Sequence, residues 1–331
     1  MLATSMVGCS ATAGDAAPPI HAAQASAVSH VVLTVSALDE AERWFAQHVD
    51  AAPLERFAFS DDGTRWNLGP QRGEAITLAI GAQRIVLIDF DGTAPLASAP
   101  ATSNDARFQH LALVVGDIDA RWAELRDAIV PVSPAPQRIP DDNVAAAGIR
   151  AAYFRGPDAH PLELIWYPRD KGAVTWHRDG DRVLGIDHSA VVVADTQRSL
   201  AFYRDLLGLE VVGGSVNEGV EQARLSGVDG ARVRITALRG PNGPGVELLE
   251  YVAPGLAFSG NSPTRADDPA HAETTIAVAD LDDTIVKLRD AGVRMSSRAT
   301  SPCIGCSDDA RAFVVADPDG HAVQLVQSQE Q

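Results

Sequence analysis

Histidine and glutamate recur at equivalent points of a repeated pattern in this 331-residue chain. His30, His110 and His188 each open an apolar run that a helix-like stretch follows, and Glu273 opens a fourth such run. A single histidine at the start of a strand is most often a surface or capping group. The same residue class at the same place in four copies favours a shared role, and metal ligation is a role that imidazole and carboxylate share.

Each copy has the pattern of a strand, a helix and about three further strands. In the second copy Ile118, Trp122 and Leu125 recur at intervals of 4 and 3, which places them on one helix face, and Asp117 stands at the expected N-cap. The copies close with the strand-like runs "RIVLIDF", "HPLELIWY", "GVELLEYV" and "HAVQLVQS". We therefore predict four tandem βαβββ modules, at residues 28–92, 107–168, 185–253 and 270–328.

Charge and hydropathy restrict the partners. The chain has 27 Lys and Arg against 44 Asp and Glu, a net charge of −17, which disfavours binding of nucleic acid or of an anionic membrane surface through the global field. No apolar run approaches the roughly 20 residues of a membrane-spanning helix. The expected partner is a small-molecule substrate, with the chain as a monomer or a homodimer.

Two cysteine-containing segments bear on the cellular compartment. Residues 1–27 are predicted to be a disordered leader, and "MVGC", which ends at Cys9, is similar to the end of a lipoprotein signal, although no Lys or Arg precedes it. An exported, periplasmic lipoprotein and a cytoplasmic protein both stay open. Cys303 and Cys306, in "CIGC", lie in a predicted loop, where two thiols alone do not make a zinc site and an exported chain would form a local disulfide.

The ends of two modules carry a family resemblance. "RGPDAHPLEL" (Arg155–Leu164) and "ADPDGHAVQL" (Ala316–Leu325) lead into a last strand. With the tandem modules, they make the chain from about Ser29 to Gln327 resemble the vicinal oxygen chelate superfamily, which includes glyoxalase I, extradiol dioxygenases, methylmalonyl-CoA epimerase and the fosfomycin- and bleomycin-resistance proteins. The resemblance implies an α+β fold whose modules pair into two glyoxalase-like domains with curved mixed sheets. We expect these domains at 28–170 and 185–331, joined by a linker at 171–184.

The resemblance also implies where metal ligands stand: at the start of the first strand and on the last strand of each module. Module by module, these positions carry His30 and Val86, His110 and Glu163, His188 and Glu247, and Glu273 and Gln324. Polar side chains that point into a cup cost desolvation energy unless they are paired or bind a metal. One divalent ion, Zn, Ni, Co, Mn or Fe(II), is therefore implied in each occupied domain.

Which modules share a cup decides the ligand set. Pairing in chain order, which we expect because neighbours in sequence usually lie together in space, gives one cup a 2-His-1-carboxylate set of His30, His110 and Glu163. The other cup would then hold His188, Glu247, Glu273 and Gln324.

The alternative joins modules 2 and 3. It gives a complete set of His110, Glu163, His188 and Glu247 and leaves a degenerate pair of modules 1 and 4.

Three functions follow from the resemblance. A lyase or isomerase of the glyoxalase type would chelate vicinal oxygens, stabilise an enediolate and use Glu247 or Glu273 as the proton carrier. An extradiol-type ring-cleaving dioxygenase would use His30, His110 and Glu163; Tyr153 stands ten residues before Glu163 as such enzymes require, but the acid–base histidine that usually precedes that tyrosine is missing. A metal-free protein that binds or sequesters a drug is the third alternative.

Overall fold

A computed structural model describes residues 25–93, 101–180, 182–257 and 264–327. The expected leader and Cys9 lie outside the described residues, except that the first strand begins at Ala25 and so includes the last three leader positions. None of the helices in the described ranges has the length and apolar character needed to cross a membrane.

The first two modules follow the predicted order of elements. Module 1 consists of β1 (Ala25–Thr34), α1 (Leu38–His48), β2 (Ala52–Asp61), β3 (Gln71–Ile80) and β4 (Gln83–Phe90). Module 2 consists of β5 (Gln109–Val115), α2 (Ile118–Leu125), β6 (Val130–Pro131), β7 (Gln137–Arg138), β8 (Arg150–Arg155) and β9 (Pro161–Trp166).

The last two modules repeat this order, and module 3 contains an additional helix. Module 3 consists of β10 (Val183–Val192), α3 (Thr196–Leu200, continued as a π-helical stretch Ala201–Leu206), β11 (Glu210–Asn217), α4 (Gly219–Ser226), β12 (Arg232–Arg239) and β13 (Gly245–Ala253). Module 4 consists of β14 (Ala272–Val278), α5 (Leu281–Asp290), β15 (Arg294–Met295), β16 (Ser301–Pro302), β17 (Arg311–Ala316) and β18 (Ala322–Gln327).

Side-chain caps fix the start of three of the helices. Asp117, Asp195 and Asp280 each accept a hydrogen bond from a backbone N–H of the first helical turn, at the heads of α2, α3 and α5. In the first module Ala37 stands at this position and no side chain caps α1. The aspartate seven residues after His110, His188 and Glu273 thus marks the position where the strand ends and the helix begins.

Two nine-stranded sheets join the modules in an order that corrects our expectation. One sheet runs β15-β17-β18-β14-β1-β4-β3-β2, with β16 also paired to β17, and joins modules 4 and 1. The other runs β11-β12-β13-β10-β5-β9-β8-β6, with β7 also paired to β8, and joins modules 3 and 2. Their central pairs, β1 with β14 and β5 with β10, are antiparallel. Pairing of modules in chain order was therefore the wrong prediction for the sheets, and the alternative that joins modules 2 and 3 is the one that forms. We call the concave faces cup 1–4 and cup 2–3.

The physical reason is that the first strands have an apolar face opposite the cup, and this face packs against a neighbouring module. Val31 and Leu33 of β1 pack with Leu111 and Leu113 of β5 in one hydrophobic core, which Phe45 of α1 helps to fill. A second core joins the corresponding faces of modules 3 and 4 in the same way. Modules 1 and 2, and likewise modules 3 and 4, thus pack through their faces, while strand edges join module 2 to module 3 and module 1 to module 4. The domain boundaries given above remain a prediction.

Candidate metal centre

The four ligand positions of modules 2 and 3 converge because of strand register. His110 of β5 pairs with Ala190 of β10, and on the other side of β10 that alanine is in register with Glu247 of β13. By the same relation His188 pairs with Ala112, which is in register with Glu163 of β9. Residues directly opposite in a sheet project from the same face, so all four side chains enter cup 2–3 about a local two-fold axis.

Three of these side chains form a compact buried cluster. His110 Nε2 lies 3.1 Å from Glu163 Oε2, and His188 Nε2 lies 3.4 Å from both Glu163 Oε2 and Glu247 Oε2. One ligand atom from each of His110, Glu163 and His188 lies within 4.8 Å of the other two. The exposed fractions of these three residues are 1%, 5% and 2%. Glu247 is the member nearest to solvent, since 21% of its side chain is exposed against 7% for Glu163.

An unpartnered nitrogen tests whether a metal fits here. Nε2 of His188 is buried and has no hydrogen-bond partner among the described residues, although two carboxylates lie nearby. A buried imidazole nitrogen left without a partner costs free energy that coordination to a cation would remove. Two imidazoles and two carboxylates also form a donor set suited to Zn, Ni, Co, Mn or Fe(II). The residues present fit a divalent ion.

The electrostatics of the cluster favour positive charge at its centre. Burial alone would raise the pKa of Glu163, but the imidazoles of His110 and His188 beside its carboxylate outweigh burial and lower that pKa to about 2. Burial lowers the pKa of His188, yet the carboxylates of Glu247, Asp187 and Glu163 together raise it well above its ordinary value. Burial lowers the pKa of His110, and burial raises that of Glu247.

A second layer of residues orients His188. Its Nδ1 lies 2.9 Å from Asp187 Oδ2, and a proton donated there leaves Nε2 of the neutral ring free to act as a ligand. Asp187 in turn accepts hydrogen bonds from Arg239 Nη2 at 2.8 Å, Trp176 Nε1 at 3.0 Å and Tyr167 OH at 3.1 Å. Asp187, Arg239 and Tyr167 were not predicted from the sequence; the signal that could have found Asp187 is an aspartate directly before a candidate ligand histidine.

Aromatic residues and α4 close one side of cup 2–3. Tyr153 is in register with Glu163, and its ring lies 4.8 Å from the ring of His110 between centroids. Leu225 of α4 packs in one cluster with Tyr153 and Tyr251. The sequence predicted Tyr153 near the site, whereas α4 has no counterpart in the other modules and was not predicted.

Cup 1–4 brings its ligand-position residues into a different network. Trp66 Nε1 donates to Glu273 Oε1 at 2.8 Å, and His271 Nε2 lies 2.9 Å from the same oxygen. Arg65, which is 2% exposed, donates a hydrogen bond to Gln324 Oε1. Gln324 Nε2 in turn donates to Thr275 Oγ1 at 2.9 Å, so both the oxygen and the nitrogen of this amide have a partner within the chain.

In cup 1–4 the positive charge thus comes from the guanidinium of Arg65, and Trp66 and His271 supply hydrogen bonds to the carboxylate of Glu273. In the described part of the chain, Glu273 joins no cluster of potential His, Cys, Asp or Glu metal ligands. His30 lies in the sheet of modules 1 and 4, so the set of His30, His110 and Glu163 does not come together. Burial, followed by the charge of Arg84, lowers the pKa of His30 to about 4, so its ring is neutral at neutral pH.

Comparison with known proteins establishes the family. The model of the Glyoxalase/Bleomycin resistance protein/Dioxygenase superfamily matches residues 27–164 and 185–325, and the chain belongs to this superfamily. The family resemblance and the fold predicted from the sequence are confirmed. No curated protein matches the sequence.

Solved structures share the fold over nearly the whole chain. Glyoxalase I from Zea mays is 16% identical and has a TM-score of 0.60, with 91% of this chain and 92% of that chain covered. A dioxygenase-like protein from Bacillus subtilis subsp. subtilis str. 168 is 13% identical and has a TM-score of 0.58, with 93% and 87% covered. At such identities the likeness concerns the fold and does not choose a reaction.

Proposed function

We propose that this chain is a divalent-metal-dependent enzyme of the lyase or isomerase type, acting on a small molecule chelated through two vicinal oxygens. The proposed ligands are His110, Glu163, His188 and Glu247, all in cup 2–3. The observation that carries the proposal is the buried Nε2 of His188, which has no hydrogen-bond partner in the described part of the chain and lies 3.4 Å from the carboxylates of Glu163 and Glu247. All four ligands come from one chain, so the proposal requires no second copy.

The two carboxylates suit different tasks. A bound divalent ion supplies Lewis acidity that stabilises negative charge on a chelated oxygen. Glu163 is buried and lies beside His110 and His188, so its carboxylate is suited to stay bound to the metal throughout the reaction. Glu247 is more exposed, and its carboxylate can take a proton from the carbon beside the chelated oxygens and return it to the neighbouring carbon.

Residues around the proposed ligands fix the orientation of His188 and limit the access of water to cup 2–3. Asp187 holds the ring of His188 through Nδ1, so the direction of Nε2 is fixed before substrate arrives. Leu225 of α4, packed with Tyr153 and Tyr251, reduces access of water on one side. Exclusion of water strengthens the interaction of charges inside the cup and limits loss of the proton to solvent. Glu273, the other proton carrier predicted from sequence, lies in cup 1–4 and is no part of this proposal.

Hydrogen exchange provides the test. The protein would be stripped of metal, reloaded with Zn, Ni, Co or Mn, and incubated in D2O with hydroxyacetone and dihydroxyacetone as probes. We expect loss of the probe C–H signals in the NMR spectrum with at least one ion, and no loss with the metal-free protein. Absence of exchange with every ion, or equal exchange by Glu247→Gln, would contradict the proposed chemistry.

A ring-cleaving dioxygenase is the second candidate, supported by one feature of the site. His110, His188 and Glu163, the compact part of the cluster, form a 2-His-1-carboxylate set, and Tyr153 lies against His110. Oxygen consumption by the Fe(II)-loaded protein with catechol separates this candidate from the first, because proton transfer alone consumes no oxygen. A folded protein that binds none of these metals would support the metal-free, drug-sequestering alternative.

A further inference from the structure

The loop "CIGC" covers cup 1–4 at the one ligand position that carries no ligand. Cys303 and Cys306 form a disulfide, and Gly305 lies between them against the cup wall. A Cβ at Gly305, whose φ is +79°, would come within 2.4 Å of Val86 Cγ2. Val86 occupies the last-strand ligand position of module 1, so the loop brings two sulfur atoms to the place where that module lacks a ligand.

The same corner holds a histidine nitrogen without a partner. His30 is 3% exposed; its Nδ1 lies 3.0 Å from Ser29 Oγ, and its Nε2 has no hydrogen-bond partner among the described residues. A ring nitrogen of His30 and the two Sγ atoms of Cys303 and Cys306 all lie within 4.8 Å of one another. While the disulfide is intact its sulfurs are poor ligands, because the thiolate is the form that binds metals.

We propose that reduction of the Cys303–Cys306 disulfide creates a zinc site formed by His30 Nε2 and the two thiolates. A dithiol reductant supplies two electrons and two protons: the S–S bond breaks, two thiols form, and the reductant becomes a disulfide. Both thiols lose their protons to solvent as two S–Zn bonds form, so each ion bound releases two protons. Three protein ligands leave one position of the tetrahedron open, as in zinc centres of the Cys2His type.

The "CIGC" loop can keep its position when the disulfide is reduced and zinc binds. Its two ends are held together, because Cys303 N donates to Ala310 O at 2.8 Å and Pro302 of β16 pairs with Arg311 of β17. Tetrahedral zinc with Zn–S bonds of about 2.3 Å separates its two sulfurs by roughly 3.8 Å, a small displacement for side chains that are already adjacent.

Charge and access also favour the site. Arg65 donates a hydrogen bond to the carbonyl oxygen of Pro302, the residue before Cys303. Its positive charge at this place favours the thiolate form of the nearby cysteine. The disulfide is half-buried and borders a pocket of about 480 Å³ lined in part by Phe59, Arg65 and Ile304. A reductant and the ion can approach through this pocket. The proposed site is separate from the N/O centre of cup 2–3 and does not depend on its function.

Cobalt(II) spectroscopy tests the proposal, because thiolate ligands give cobalt a charge-transfer absorption that the N/O centre of cup 2–3 does not. The protein would carry Cys9→Ser, so that Cys303 and Cys306 are the two remaining cysteines. With two equivalents of Co²⁺ per chain, one for each cup, we expect this absorption after anaerobic treatment with a phosphine reductant and its removal, and no such absorption before reduction. Zinc should displace the cobalt.

Variants identify the ligands. Cys306→Ser should abolish the absorption of a two-thiolate site, and His30→Ala should weaken cobalt binding by more than about a hundredfold, since even outer-shell partners cost 10- to 100-fold. His110→Ala, which alters only cup 2–3, is the matched control and should retain the absorption. Circular dichroism and thermal melting check that each variant is folded. No absorption in the reduced protein, or equal cobalt affinity in folded His30→Ala, would overturn the proposal.

Discussion

The two cups have corresponding strand orders and meet the same electrostatic requirement in different ways. In cup 2–3 the imidazole Nε2 of His188 faces two carboxylates and has no hydrogen-bond partner in the described structure. In cup 1–4 the carboxylate of Glu273 accepts hydrogen bonds from Trp66 and His271, and the guanidinium of Arg65 lies against Gln324. Buried acids require donors or cations. In our proposal cup 2–3 receives its cation from solution, whereas in cup 1–4, with the disulfide intact, Arg65 supplies the positive charge.

The largest expected difference between the cups is in catalysis. Glu247→Gln removes the proposed proton carrier of cup 2–3, so we expect kcat to fall by about 10²- to 10⁴-fold at saturating metal. Glu273→Gln, the equivalent change in cup 1–4, should leave kcat within about threefold of the wild type, because its partners lie in the other sheet. Deuterium exchange into hydroxyacetone measures both. Equal losses in the two variants would contradict a single catalytic cup.

Arg65→Met tests whether the guanidinium holds cup 1–4 together. The substitution leaves buried Glu273 and the amide oxygen of Gln324 without the positive charge nearby, which should cost about 3 kcal/mol of unfolding free energy. Arg56→Met is the control: Arg56 is 36% exposed and pairs with Asp39 and Glu42 at the surface, where such pairs contribute about 0–1 kcal/mol. Urea denaturation measures both variants, and an equal effect would mean that Arg65 does not replace a metal.

Asp187→Asn tests the second layer of cup 2–3. The change keeps the shape of the side chain but removes the charge that orients His188 and that Arg239 supports at 2.8 Å. We expect metal affinity to fall by about 10- to 100-fold, with the strand structure intact. Competition with a chromophoric chelator measures the affinity. An unchanged affinity would show that His188 needs no orientation by Asp187.

Tyr153→Phe should have the smallest effect and separates the two candidate reactions. If Glu247 carries the proton, loss of the Tyr153 hydroxyl should change kcat by less than about tenfold, because the ring and its packing against His110 and Leu225 are retained. If the protein is a ring-cleaving dioxygenase, oxygen uptake with catechol should instead depend strongly on this hydroxyl. Tyr153→Phe measured both by deuterium exchange into hydroxyacetone and by oxygen uptake with catechol therefore distinguishes the two candidate reactions.

The repeat made much of the site predictable from sequence, because register in a duplicated unit repeats as well. His110, Glu163, His188 and Glu247 were all predicted as ligand-position residues, although their grouping was only an alternative. Grouping failed because each first strand offers both an apolar face and an edge for pairing, and the connectors are similar in length, so no local signal distinguishes face packing from edge pairing. The content of cup 1–4 was not predictable either: Arg65 comes from the β2–β3 connection and enters the cup only in three dimensions.

Metal content per chain tests the central claim most directly. Metal-stripped protein with its disulfide intact would be loaded with Zn²⁺, passed through a desalting column and analysed by mass spectrometry of the element. We predict one equivalent in the wild type, near zero in His188→Ala, and one equivalent in Glu273→Gln. Two equivalents in the wild type, or retention by His188→Ala together with loss in Glu273→Gln, would contradict the assignment of the metal to cup 2–3.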